Sequence, residues 1–109
     1  PIDTTITKLP FRLGRGLPGS SNSPLARNDL VIEEHESQDI SRNHCEIDFE
    51  FGHFIVRDSG SRLGSWVNGT HVSVDAGRIS TPLELGENTL FLGNSDSPHR
   101  FSITVEAMD

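Results

Sequence analysis

Apolar and polar residues alternate with a period of two along nearly the whole chain, as in half-buried β-strands. In "CEIDFEF" the residues Cys45, Ile47, Phe49 and Phe51 fall on one face, and Glu46, Asp48 and Glu50 on the other. An N-terminal run places Leu9, Phe11 and Leu13 in alternation, and a C-terminal run sets Phe101, Ile103 and Val105 against Ser102, Thr104 and Glu106. Shorter runs predict strands at Asp29–Ile32, His53–Arg57, Ser65–Asn68, His71–Val74, Pro82–Leu85 and Thr89–Leu92. Turn formers separate them: Gly52, Asn68-Gly69, Gly86-Glu87-Asn88 and Gly93-Asn94. No segment carries a 3.6-residue stripe. Short strands with closely spaced turns predict an all-β protein, an antiparallel β-sandwich or barrel.

That pattern disposes of one motif. The stretch "FRLGRGLPGS" contains Gly14-x-Gly16-x-x-Gly19, the glycine spacing of a dinucleotide-binding loop. Such a loop opens a helix whose N-terminus holds the pyrophosphate. Here "LPGSSNSPLARND" follows, with Pro18 and Pro24 and no apolar period. No Gly-Lys-Ser/Thr for a P-loop is present either, so no nucleotide cofactor is expected.

At 109 residues the chain has room for a single core. Its formal net charge is −7, from sixteen acidic against nine basic residues. That sign opposes nucleic acid and anionic membranes, which attract positive fields. No run of about 20 apolar residues offers a membrane-spanning helix, and no signal peptide opens the chain. The lone Cys45 suits a reducing compartment. An intracellular, cytoplasmic location is expected, with the nucleus not excluded. The start at Pro1 suggests a domain excised from a longer protein, with residues 1–8 as a flexible arm and 9–107 as the sandwich.

The two strands around Gly52 form a hairpin, so the segments flanking it lie at one end of the sandwich. This brings "DISRNH" (39–44) beside "DSGSRLGS" (58–65). Together they carry Ser41, Arg42, His44, Ser61, Arg62 and Ser65, and Arg15 at the end of the first strand can join them. Hydroxyls, guanidiniums and loop N–H groups converging on an acidic domain suit a dianionic oxyanion.

The same residues resemble the forkhead-associated (FHA) family of phosphothreonine-peptide-binding modules, over roughly residues 9–93. "LGRG" is similar to the family's Gly-Arg, here Gly14 and Arg15. "ISRNHCEI" is similar to its Ser-Arg-x-His, and "DSGSRLGSWVNG" to its Asp-x-x-Ser-x-Asn-Gly-Thr-x-x-Asn-Gly. The resemblance implies a sandwich of about eleven strands with a ligand held by apical loops. It implies that Arg15 pairs with the phosphate, Ser41 donates its hydroxyl, and Arg42 contacts peptide or phosphate. It makes His44 a structural histidine and gives Gly14, Ser61, Gly64, Asn68 and Gly69 loop-supporting roles. Arg62, Leu63 and Ser65 complete the phosphopeptide contacts. Leu63 stands where the family usually has the Asn that bonds the peptide backbone, and Arg62 either offsets that loss with another cation at the phosphate or reaches an acidic residue that follows the phosphothreonine.

The expected function is therefore phosphothreonine-dependent protein–protein interaction in kinase signalling. The alternative is an FHA-like scaffold that holds its partner without phosphate. No enzyme is expected: Ser41, His44 and Asp58 supply the letters of a hydrolytic triad without a nucleophile elbow. No metal is expected at Glu33, Glu34, His35 and Glu36, since neighbours on an extended loop point apart. The Asn68-Gly69-Thr70 sequon reads as a hairpin turn. Thr4, Thr5 and Thr7 raise one regulatory expectation, that the phosphorylated arm occupies the domain's own pocket.

Overall fold

The computed structural model describes residues 5–15, 28–32, 40–41, 43–94 and 98–106. Among these residues there are nine strands and no helix. They are β1 (Phe11–Arg15), β2 (Leu30–Ile32), β3 (Cys45–Glu50), β4 (His53–Asp58), β5 (Ser65–Val67), β6 (Thr70–Val72), β7 (Ser80–Pro82), β8 (Gly86–Leu92) and β9 (Arg100–Val105). One sheet runs β2-β1-β3-β4-β7 and the other β6-β5-β8-β9. The all-β chain is a sandwich, as the family resemblance implies, with nine described strands in place of about eleven.

Leu13, Ile47 and Val56 from the first sheet meet Val67, Val72, Leu90 and Leu92 from the second in one core, which Ile40, Cys45 and Leu83 complete. Ile6 and Leu9 pack against it, so the described part of the expected arm lies on the domain, with Thr5 and Thr7 exposed. Thr4 lies outside the described residues, as do Gly16, Gly19 and the run Glu33, Glu34, His35 and Glu36.

The turn expected at Gly86-Glu87-Asn88 is instead the start of β8, and three further expectations need correction. The pair β1–β2 is parallel, with Leu13 opposite Leu30 and Arg15 opposite Ile32. The connection over 16–29 is long enough for the crossover that a parallel return requires. Second, the apolar face of "CEIDFEF" is buried only at Cys45 and Ile47. Phe49 is half exposed and packs edge-on to Phe54 at 5.0 Å. Phe51 is almost wholly exposed, because Phe51 and Gly52, at φ 50 and 84, form the two-residue turn of the β3–β4 hairpin. Third, β7 covers Ser80–Pro82 rather than Pro82–Leu85, and Leu85 is exposed. Pro82 ends an edge strand, where its missing N–H costs no ladder bond.

On the outer face of the first sheet, Arg57 Nη1 lies 2.5 Å from Glu46 and 3.3 Å from Asp48, and Nη2 lies 2.7 Å from Glu50. These carboxylates push the Arg57 pKa up, first through the Glu46 hydrogen bond. The polar face of β3 is thereby pinned to β4, which fixes the hairpin under the loops at its ends.

Cys45, fully buried, has its thiol pKa pushed up from 9.0 to about 12, chiefly by burial. The folded state holds this proton more tightly than the unfolded chain does. Its contribution is complete below pH 9 and is lost as the pH climbs from 9 towards 12. The slope is at most about 1.4 kcal/mol per pH unit. Denaturation titrations across this window should therefore show a steeper stability loss in the parent than in Cys45→Ala. Parallel slopes would refute the assignment.

Candidate functional site

The end of the sandwich beyond Arg15, Cys45 and Asp58 is built by backbone hydrogen bonds between loops. Arg15 N–H donates to Ser41 O at 2.9 Å, and His44 N–H donates to Leu13 O at 3.0 Å. Ser59 N–H donates to His44 O at 3.0 Å. These bonds hold the end of β1 against 41–44, and 41–44 against the loop after β4. The juxtaposition expected from the β3–β4 hairpin is present.

His44 is the strut inside this junction. Its ring is fully buried. Nδ1 accepts from Ser41 N–H at 3.0 Å, and Nε2 lies 2.6 Å from Gly64 O. A carbonyl only accepts, so Nε2 carries the proton and the imidazole is the neutral Nε2–H tautomer. Both ring nitrogens are spent on backbone, which makes His44 a positioning residue.

Ser41 and Ser61 divide the remaining work. Ser41 Oγ accepts from Arg62 N–H at 2.9 Å. No partner among the described residues takes its hydroxyl proton. Ser61 is buried and fully engaged: its Oγ–H donates to Asp58 Oδ1 at 2.6 Å, and its oxygen accepts from Gly64 N–H at 2.9 Å. Asp58 Oδ2 also accepts from Val74 N–H at 2.9 Å, tying in the loop after β6. Asp58 is thus a buried loop anchor, a role hidden in the sequence, where it stands as the first residue of "DSGSRLGS" and a letter of the unsupported triad.

Gly64 is the tightest point. It adopts φ +79, and a Cβ there would lie 2.7 Å from both His71 Nε2 and Val72 O. Its carbonyl receives Gly93 N–H at 2.9 Å as well as His44. Beside it, His71 Nε2 donates to Leu63 O at 3.1 Å, and the His71 ring stacks on Trp66 at 4.7 Å and 18°.

Two cations border this junction. Arg15 is half-buried at the end of β1, and its guanidinium makes no hydrogen bond or ion pair among the described residues. Arg62 is exposed, with its backbone bonded to Ser41. The arrangement offers a guanidinium with no partner among the described residues, a hydroxyl proton and a second cation on a chain of net charge −7. That combination fits a doubly charged oxyanion.

One expected contact residue is misplaced. Ser65 is fully buried, because it opens β5 and the strand alternation sends Ser65 and Val67 into the core while Trp66 faces outward. It cannot touch a ligand. Asn68 and Gly69 turn the β5–β6 hairpin at the other end of β5, at φ 49 and 85. Their support is given there: Asn68 Nδ2 donates to Asn88 Oδ1 at 2.8 Å, and Asn68 Oδ1 accepts from Thr89 N–H at 2.9 Å. Arg42 lies outside the described residues. Gly14 is buried within β1.

Residues 11–91 match the model of the FHA domain. Among solved structures, the chain is similar to Mycobacterium tuberculosis EmbR in complex with a low-affinity phosphopeptide, with a TM-score of 0.61 and 21% identity. The alignment covers 95% of this chain and 22% of EmbR, so the chain spans under a quarter of that protein. It is also similar to the FHA-2 domain of the Mycobacterium tuberculosis ABC transporter Rv1747, with a TM-score of 0.52 and 24% identity over 86% of this chain and 69% of that one. No curated protein sequence matches. Among the described residues no helix is long and apolar enough to cross a membrane.

Proposed function

The chain belongs to the FHA domain family, and from that membership and the loop geometry we propose that it binds phosphothreonine-containing partner proteins in kinase signalling. FHA domains are phosphopeptide-binding interaction modules rather than enzymes. The observation that carries the reading is the Arg15–Ser41 junction. One backbone bond of 2.9 Å fixes the two residues together, with the Arg15 guanidinium and the Ser41 hydroxyl proton both open among the described residues.

A phosphothreonine presents a charge of about −1.5 to −2 and three acceptor oxygens. Charge-assisted hydrogen bonds contribute roughly 1.5–3 kcal/mol each. A few of them, less ordering and desolvation, correspond to micromolar affinity, about −8 kcal/mol. Arg15 supplies the anchor, Ser41 a directional donor, and Arg62 additional positive charge. His44 and Asp58 work one layer below, holding Ser41 and the Arg62 backbone in place.

Arg15→Ala should weaken a cognate phosphothreonine peptide by about tenfold or more. Folding should be unaffected, since the guanidinium has no partner among the described residues. Fluorescence anisotropy with phosphorylated and unphosphorylated forms of one peptide, alongside a thermal melt, checks both halves. Normal binding by a folded Arg15→Ala domain would remove Arg15 from the site.

Leu63 favours a second reading. An aliphatic side chain there cannot bond a peptide backbone, so a partner held without phosphate is the competing function. Equal affinity for the two peptide forms would select it.

A further inference from the structure

Beside the Arg62–Leu63 segment runs an open groove of about 610 Å³. Arg62, Leu63, the stacked Trp66 and His71 rings, Asp75 and Asn94 are among the residues that line it. Building on the phosphopeptide reading, we infer that this groove is a subsite for a basic side chain, arginine above all, carried by the same peptide a few residues from the phosphothreonine.

Continuity is the first argument. Arg62 N–H is bonded to Ser41 Oγ, and Leu63 O to His71 Nε2. The groove therefore begins on the residues that close the phosphate site. An extended peptide advances about 3.3 Å per residue, so a chain anchored at Arg15 and Ser41 reaches the groove within a few positions.

The second argument is the chemistry of the walls. Trp66 and His71 present a stacked aromatic pair, and tryptophan is the best aromatic partner for a cation, here on the part of the indole that His71 leaves uncovered. Asp75 is an exposed carboxylate of the groove. A flat guanidinium satisfies both, with its plane on the indole and its N–H groups towards the carboxylate. An acidic side chain would meet Asp75 and a chain of net charge −7. An apolar one would gain contact with Leu63 and Trp66 but would leave Asp75 and Asn94 desolvated and unpaired. Arg62 also lines the groove, and the phosphate dianion of a bound peptide offsets its charge towards an arriving cation.

The neighbouring strand pair shows the same contact within the chain. Register places His71, Trp66, Phe91 and Arg100 in one cross-strand row over β6, β5, β8 and β9. Arg100 lies over the Phe91 ring at 4.4 Å from its centroid. The groove offers the next aromatic in this row to a guanidinium from outside.

Trp66 is the single tryptophan of the chain, so its fluorescence reports on the groove directly. The probes are short alanine-based peptides with a central phosphothreonine. A single Arg, Glu or Leu is moved through the flanking positions, and each peptide has an unphosphorylated twin. At one position Arg should bind about fivefold or more tightly than Ala, exceed Glu and Leu, and change Trp66 emission. Asp75→Asn should reduce that preference to about twofold or less while leaving the phosphorylated-to-unphosphorylated ratio intact. An undiminished preference in Asp75→Asn, or selection of Glu or Leu over Arg, or an unchanged Trp66 emission, would overturn the subsite. A ratio of one would overturn the phosphate reading alone. The Arg preference is then read on the unphosphorylated peptides, and its absence there overturns the groove assignment as well.

Discussion

Gly64→Ala should cost the domain on the order of 3 kcal/mol and abolish phosphopeptide binding with it. Two effects add. A residue with a Cβ at φ +79 carries strain of about 1–2 kcal/mol. The new methyl would also sit 2.7 Å from Val72 O and 2.9 Å from Ser73 Cβ. The Val72 carbonyl belongs to β6, so the clash cannot be relieved by turning a side chain. The loop itself must move, and with it the carbonyl that holds His44 and Gly93. Gly60→Ala is the matched control: φ is +85 and nothing lies within 4 Å of the added Cβ, so only the strain remains. Urea denaturation of both variants separates clash from strain. Equal destabilisation would mean that the close approach at Gly64 is not sustained in solution.

His44→Ala is the second large effect. The ring is wholly buried and both nitrogens are used. Truncation leaves a cavity and strands Ser41 N–H, for a combined cost of about 3 kcal/mol. In a domain of this size that lowers the melting temperature by roughly ten degrees or more. Below the new transition, affinity for a phosphothreonine peptide should still fall, because Ser41 and Gly64 lose the tie between their loops. A thermal melt and a binding isotherm at low temperature report the two consequences separately. A variant that melts like the parent, or binds like it while folded, would show that the two bonds to His44 carry no weight.

How much of this could be read from the residues depended on range. The alternation around Cys45 and Ile47, and the hairpin following it, are local, and from them the meeting of 41–44 with 58–65 follows by geometry alone. Phe51 was unreadable because a turn residue and a strand residue look alike in an alternating string, and only its positive φ distinguishes them. Ser65 misled for a related reason. A hydroxyl after a loop suggests a ligand, yet the alternation of β5 turns it inward, and the adjoining Trp66 and Val67 could have signalled that. The parallel pairing of β1 with β2 leaves no local mark, since direction is set by where a connection lands. The Asp58 anchor and the His71–Leu63 bond join distant segments whose approach depends on the whole sandwich.

One feature far from the loops bears on them. Asn88, wholly buried, accepts from Asn68 Nδ2 and Glu84 N–H and donates to the carbonyls of Glu84, Gly86 and Ile103. The strand it secures through Asn68 is β5, only three residues long, and the other end of β5 adjoins Gly64. A slip of one position in so short a strand would exchange its faces, turning Ser65 to solvent and Trp66 into the core. An amide with no access to any ligand thus acts as a register pin for the recognition loop. Natural variation at Asn88 would surface as altered partner choice, and a map of tolerated substitutions would show a second sensitive spot at the end of β5 away from the proposed phosphopeptide loops.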